Sequence, residues 1–229
     1  MPSKFETGFM RNIPVILAVI LLTISSCKKD DVTSNQLGFD TGCIARIYIP
    51  VNAHTISSSE KIIVDNLFHS NGIVNQNYRF YRFQEDSFQT YYPPYSKIDA
   101  KQILADHYVN GLRIFNDNAL FLFYNDAIHY IGGDTSTTII LDTDPSLQLG
   151  QARKLFIEDA ERFEQLGYHF KDSCLRAEFG YYKKQDSNND VTVYKAWLIK
   201  PNYYDYPRCI HKDSDGGLIW YDNGVRYFQ

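Results

Sequence analysis

The chain has 229 residues, with 23 lysines and arginines against 27 aspartates and glutamates (net charge −4), and 44% of it is hydrophobic. That length and apolar content supply the core of one large domain or two small ones, which excludes a largely disordered chain. A mildly acidic chain with no basic block has no electrostatic reason to bind nucleic acid. Its 18 tyrosines and 15 phenylalanines, interleaved with Thr, Val and Ile, favour sheet over helix bundle.

Lys4 and Arg11 precede an apolar run from Ile13 to Ile24, broken only by Pro14 and Thr23. As a helix that run rises roughly 18 Å against about 30 Å of bilayer hydrocarbon, too short to span. A positive start, a short apolar stretch and the small residues Ser25 and Ser26 make an export signal. The stretch LLTISSC, residues 21 to 27, resembles the lipobox of bacterial lipoproteins. The resemblance implies cleavage before Cys27, diacylglycerol on the Cys27 thiol, and acylation of the new amino group. Several acyl chains hold a membrane far better than one, at about 0.8 kcal/mol per buried methylene. The alternative is an ordinary secretory signal with an incidental cysteine. Lys28, Lys29, Asp30 and Asp31 resemble the run after the lipidated cysteine in many lipoproteins of the Bacteroidota, which in some of them marks export to the outer face of the outer membrane. A plain solvated spacer is the alternative. Either way residues 28 to 40 read as a flexible tether, and the expected location is the cell envelope, held to the outer membrane in one leaflet or the other.

Ile44 to Val51 alternates as a strand. Ser57 and Glu60 form a capping-box pattern ahead of Ile62, Ile63, Leu67 and Phe68, which predicts a helix of about twelve residues ending near Asn71 and Gly72. Tyr78 to Phe83 and Phe88 to Tyr92 read as aromatic strands closed by Pro93 and Pro94. Ile98 to Val109 fits a helix capped by Asp99 or a strand. Leu112 to Phe115, Ala119 to Tyr124 and Ile128 to Ile131 read as strands with turns at Asn116-Asp117-Asn118 and Asn125-Asp126. Leu149, Ala152, Leu155, Phe156, Ala160 and Phe163 predict a second helix, with Gly167 as its cap. Strands follow at Cys174 to Lys183, Val191 to Lys200, Pro207 to Lys212 and Leu218 to Tyr221, and Val225 to Phe228 suits a short edge strand. Helix followed by antiparallel strands thus occurs twice. The expected fold is α+β in two small modules, each a helix on an antiparallel sheet, over residues 41 to 137 and 138 to 229.

Residues 108 to 133, YVNGLRIFNDNALFLFYNDAIHYIGG, resemble the propeptide module of thermolysin-like and fungalysin metalloproteases. AWLIKP (196 to 201) and CIHKDSDGGLIWYDNGVRYF (209 to 228) resemble a PepSY domain. Such propeptides inhibit an attached protease and assist its folding, but no His-Glu-x-x-His occurs in this sequence. The resemblance therefore implies a module that binds an exported protein or peptide in trans.

Of the three cysteines after Cys27, Cys174 and Cys209 are the expected disulfide, provided their strands are not next-but-one neighbours. The six histidines are scattered without ligand spacing, and no metal or cofactor is expected. Asp213, Asp215 and Gly216 resemble part of a calcium loop, but Asp222 stands where its glutamate belongs, so a β-turn is expected. No nucleophile elbow, Walker loop or dinucleotide glycine pattern is present, and a non-enzymatic protein is expected, with an unrecognised hydrolase as the remote alternative. Tyr91, Tyr92 and Tyr95 surround Pro93 and Pro94, and Tyr203, Tyr204 and Tyr206 precede Pro207. Loop rings of this kind stack on sugars or pack peptide side chains, which makes a surface glycan-binding lipoprotein the alternative function. The competing reading is that these rings cover the ends of the sheets.

Overall fold

The strands and helices follow in the order β1 (Ile44–Ile47), α1 (Ser58–Ser70), β2 (Tyr78–Gln89), β3 (Lys97–Val109), β4 (Leu112–Tyr124), β5 (Ala127–Gly132), α2 (Leu149–Phe163), β6 (Leu175–Gln185), β7 (Val191–Pro201), β8 (Arg208–Lys212) and β9 (Leu218–Asp222). They come from a computed structural model that describes residues 42–133, 138–164, 170 and 172–225. The lipobox, the tether, Gly167 and most of the expected strand at Val225 to Phe228 lie outside the described residues.

The expected pair of small modules is not formed. The nine strands make one mixed sheet in the order β2-β3-β4-β6-β7-β8-β9, with β5 on β4 and β1 on β6. Two separate modules would leave the facing edges of β4 and β6 unpaired, and three devices fill them. Ile114 of β4 bridges Tyr181 of β6 in parallel. The Asn116 amide then acts as a short length of strand: its Nδ2 donates to the Lys183 carbonyl at 2.6 Å and its Oδ1 accepts from the Lys183 N–H at 3.0 Å. On the same edge β1 runs parallel to the first residues of β6, Ile44 opposite Leu175 through Ile47 opposite Glu178. The strand expected to open the first module thus completes the other half of the sheet.

Both helices pack on one face. Ser57 Oγ accepts the Glu60 N–H and Glu60 accepts the Ser57 N–H, so α1 starts at the expected capping box. Its Val64, Leu67 and Phe68 bury against Phe80, Ile103, Phe121 and Phe123. In α2, Ala152, Phe156, Ile157 and Ala160 bury against Ala177, Tyr181, Trp197 and Ile199. Each large apolar side chain removed from water in this way contributes roughly 1.5–3 kcal/mol.

One segment left open is resolved and two expected features are corrected. Ile98 to Val109 is strand, carried into β4 by Asn110 and Gly111 at φ +52° and +77°, the left-handed pair a tight hairpin needs. Asn116 to Asn118 is not a turn. Asp106 pairs with Asn118 and Tyr108 with Arg113, so four residues of β4 bulge opposite His107 while the strand continues. Phe88 to Tyr92 is not a separate strand, because β2 runs unbroken to Gln89.

The expected Cys174–Cys209 disulfide is replaced by Cys43–Cys174, whose Cα atoms lie 4.5 Å apart, and Cys209 is a free, buried thiol. Register explains the exchange. Cys43 and Cys174 each precede a residue of the Ile44–Leu175 pair, whereas Cys209 lies opposite Ile199 on β7, with that strand between it and β6. Two strand spacings are about 9–10 Å, beyond the reach of a disulfide.

Candidate functional site

The long arms of β2 and β3 carry the first tyrosine group out to a hairpin tip. Thr90 braces that tip from within: its N–H bonds the Ser96 carbonyl, and its hydroxyl donates to the Pro94 carbonyl at 3.0 Å and accepts the Ser96 N–H at 2.9 Å. Around this brace Tyr91, Tyr92 and Tyr95 are 86%, 76% and 64% exposed, with the first two rings edge to face at 5.1 Å. These rings do not cover the end of the sheet.

The second group divides. Tyr203 and Tyr204 are exposed to a similar degree, but Tyr206 is built into the fold: the Arg208 guanidinium lies over its ring, and the ring sits where a side chain on Gly224 would fall. The two groups do not come together. β2, β4 and β6 run one way and β7 the other, so the β2–β3 tip and the β7–β8 loop lie at opposite ends of the sheet. Strands of this length span roughly 40 Å. Residue 42 and the Cys43–Cys174 disulfide share the end that carries Tyr203 and Tyr204, where Asn202 donates to the Cys174 carbonyl.

A third aromatic set escapes the sequence reading. On the face away from α1, Phe88 of β2 meets Tyr124 of β4 edge to face at 5.3 Å, and Tyr124 stacks on His129 of β5 at 4.2 Å. Tyr130 continues this row, its ring lying over Gly132. Alternation from the half-buried Phe83 and the buried Phe121 and Phe123 could have placed Phe88 and Tyr124 on this face; the bulge that brings His129 beside Tyr124 has no sequence signal.

Most of the buried polar side chains are held by named partners, although His107 Nε2, Arg113 Nε and His211 Nε2 make no hydrogen bond among the described residues. Asp106 takes Arg79 at 2.5 Å and Arg113 at 2.7 Å, and Arg113 reaches Glu178 of β6 at 3.7 Å. Burial works against the Arg79 charge, but the Asp106 bond overrides it and holds Arg79 above its ordinary value. Burial raises Glu178 and pushes the neighbouring Tyr108 phenol up to about 12. This network bridges β2, β3, β4 and β6 where the sheet is joined by a single backbone pair, so it clamps the seam. His107 donates Nδ1–H to Asp117 at 2.8 Å, and Lys183 reaches the same carboxylate at 3.0 Å. Burial opposes that carboxylate, and the two bonds hold it below the usual range. His211 donates to the Gly216 carbonyl and turns Nε2 toward Asp159 at 3.4 Å. Burial lowers His211 and raises Asp159, moving both toward the neutral form, and burial also raises the Cys209 thiol, the reverse of an activated nucleophile.

Asp213 does not open a cation loop. It accepts the N–H groups of Ser146 and Leu147 at 2.8 and 2.9 Å and the Trp197 indole N–H at 2.9 Å, tying the lead-in of α2 to β7. Burial opposes its charge, yet these donors hold the carboxyl below its ordinary value. No group of three or more His, Cys, Asp or Glu among the described residues could hold a metal ion, and no described helix is long and apolar enough to cross a membrane. No protein-family model matches the chain, and no curated protein matches it in sequence.

Proposed function

We propose that the protein is a lipid-anchored binding module of the bacterial cell envelope, held through Cys27 and engaging an exposed macromolecule with the Tyr91, Tyr92 and Tyr95 tip. The observation that carries this reading is the tip itself: three large rings left in water on a hairpin that its own Thr90 holds in shape. Exposed aromatic side chains cost little entropy to fix and supply most of the energy in recognition surfaces. A loop that is already ordered loses little more on binding.

The propeptide resemblance favoured an exported protein or peptide as the partner. That argument loses weight with the one-sheet architecture, since it assumed two separate PepSY-like modules. The glycan alternative needs exposed loop rings, and the tip supplies them. The Tyr203 and Tyr204 loop, at the end where the tether joins the fold, is a separate surface with no part in this reading. Photo-crosslinking on intact cells tests the proposal. Wild-type protein is expected to give an adduct that is lost on joint Tyr91→Ser, Tyr92→Ser and Tyr95→Ser substitution and kept on Tyr203→Ser with Tyr204→Ser. An adduct indifferent to the tip would refute it.

A further inference from the structure

The uncovered face of the β2–β5 half of the sheet continues directly from the tyrosine tip. α1 and α2 both lie on the other face. On the open side Phe88, Tyr124, His129 and Tyr130 form a row across β2, β4 and β5. The row crosses β3 beside Ala100, the small partner of Tyr124 in register, and Ile98, the partner of Phe88. Gln84 and Gln102, opposite one another on β2 and β3, share this face.

The electrostatics limit what such a surface can hold. From Ser87 to Ile98 the single charged side chain is Lys97, which is paired with Asp99 at 3.1 Å. On the row's own face the charges are of opposite sign: Asp86 beside Phe88, and Arg82, which donates to the Gln84 amide oxygen at 3.2 Å and leaves that side chain's NH2 group free to donate. An ionic polymer finds no concentrated counter-charge here, so charge complementarity points to an uncharged ligand. The row is a set of ring faces and edges on a pleated surface, which suits a flat ligand with one apolar face and a polar rim. A sugar ring has that form: its C–H face lies on an aromatic ring while its hydroxyls reach side-chain amides such as those of Gln84 and Gln102. The tip lies at the end of the sheet opposite residue 42, where the described chain begins.

We infer that the tip and the Phe88–Tyr124–His129 row together form a platform for a neutral carbohydrate chain. The inference rests on the binding function proposed above and adds the ligand class and a second set of contacts. The test uses the mature chain with Cys27→Ser, run by affinity electrophoresis through gels containing dextran, a β-1,3-glucan, a mannan, or the charged polymers alginate and heparin. At least one neutral polymer is expected to retard it. Phe88→Ala, Tyr124→Ala and, at the exposed His129, His129→Ala should each weaken that retardation about tenfold while melting as the parent does, and Tyr203→Ser should leave it unchanged. His129→Ala carries the test if either larger substitution impairs folding.

Three results would overturn the inference: no retardation by any neutral polymer, retardation by the charged polymers alone, or retardation insensitive to Phe88, Tyr124 and His129. If neutral polymers fail while the tip-dependent adduct on cells persists, the carbohydrate assignment falls and the binding function stands. If neutral polymers bind through the row but substitutions at Tyr91, Tyr92 and Tyr95 change nothing, the tip is not the recognition element, and the platform of tip and row is refuted as stated.

Discussion

Asp106 is nearly inaccessible to water, yet it faces two guanidinium groups, from Arg79 on β2 and Arg113 on β4. Removing one partner of a buried ion pair costs about 3–5 kcal/mol, because the charges left behind are neither solvated nor paired. Asp106→Ala is therefore expected to lower the unfolding free energy obtained from urea denaturation by an amount in that range, and a loss under 1 kcal/mol would show that the seam does not depend on this network. His54 makes a second residue-level prediction. Its Nδ1 accepts the Phe80 N–H at 3.0 Å, outside the β2–β3 pairing, and its pKa lies below the ordinary 6.5 through burial and the nearby Lys61 charge. A histidine with a depressed folded pKa is protonated first in the unfolded chain. Its contribution to stability is complete above about pH 6.5 and is lost as the pH falls through the folded value. Glu178 and Asp159, raised by burial, contribute the opposite slope at lower pH, so the informative comparison is with His54→Asn, whose amide oxygen can accept the same bond without titrating. Between pH 7.5 and 5.5 the parent should lose more thermal stability than this variant; equal losses would exclude His54.

At the scale of elements, β1 has four residues and is joined to α1 by a loop, too little to hold itself against β6 by backbone pairing alone. The Cys43–Cys174 bond fixes its first end, and the buried Arg153 of α2 donates to the Cys43 and Ser173 carbonyls on either side of that bond. The bridged cysteines are 131 residues apart, so in the chain-entropy account the link stabilises by about 4–5 kcal/mol. Cys43→Ser should lower the unfolding free energy by several kcal/mol and abolish the response to reductant, while Cys209→Ser leaves that response intact. A reductant-insensitive parent would show the bond is not formed. This staple also marks where sequence reading stops. α1 and α2 were legible because each depends on residues within a few positions: the Ser57–Glu60 box, and apolar residues at three- and four-residue steps. The hairpin at Asn125-Asp126 was legible for the same reason, with both residues at positive φ. The Asn110-Gly111 turn carries an equally local signal, and read as a hairpin it would have settled Ile98 to Val109 as strand. Nothing local marks the union of the two halves, which rests on Asn116 completing an edge 67 residues away and on β1 crossing to β6. The candidate site divides in the same way. Tyrosines beside prolines mark the tip, but their exposure depends on how far β2 and β3 project, and the Phe88–Tyr124–His129 row on strands brought into register across a bulge.

For the whole molecule, the direction of the sheet gives the proposed anchor a geometric consequence. The chain joins the fold at residue 42, beside Cys43–Cys174 and the Tyr203–Tyr204 loop, while the Tyr91–Tyr95 tip lies at the far end of strands spanning roughly 40 Å. In a chain held by lipid on Cys27, the tip would stand at the end of the folded part opposite the point where the chain enters it. If the lipid is the only hold on the membrane, Cys27→Ser removes several acyl chains and with them nearly all of the membrane affinity, since each buried methylene is worth about 0.8 kcal/mol. The folded part does not depend on Cys27, because every described element and the Cys43–Cys174 disulfide lie beyond it. The substituted protein is therefore expected in the soluble envelope fraction or the medium, with an unchanged melting temperature and, in vitro, an unchanged response to the tip substitutions. Wild-type protein should remain with membranes through high-salt washing and leave them only with detergent. Cys27→Ser protein that has lost its Ile13–Ile24 signal yet still sediments with membranes and resists salt would mean that a protein surface, and not an acyl chain, makes the attachment; the exposed Tyr203 and Tyr204 would then be the first residues to substitute.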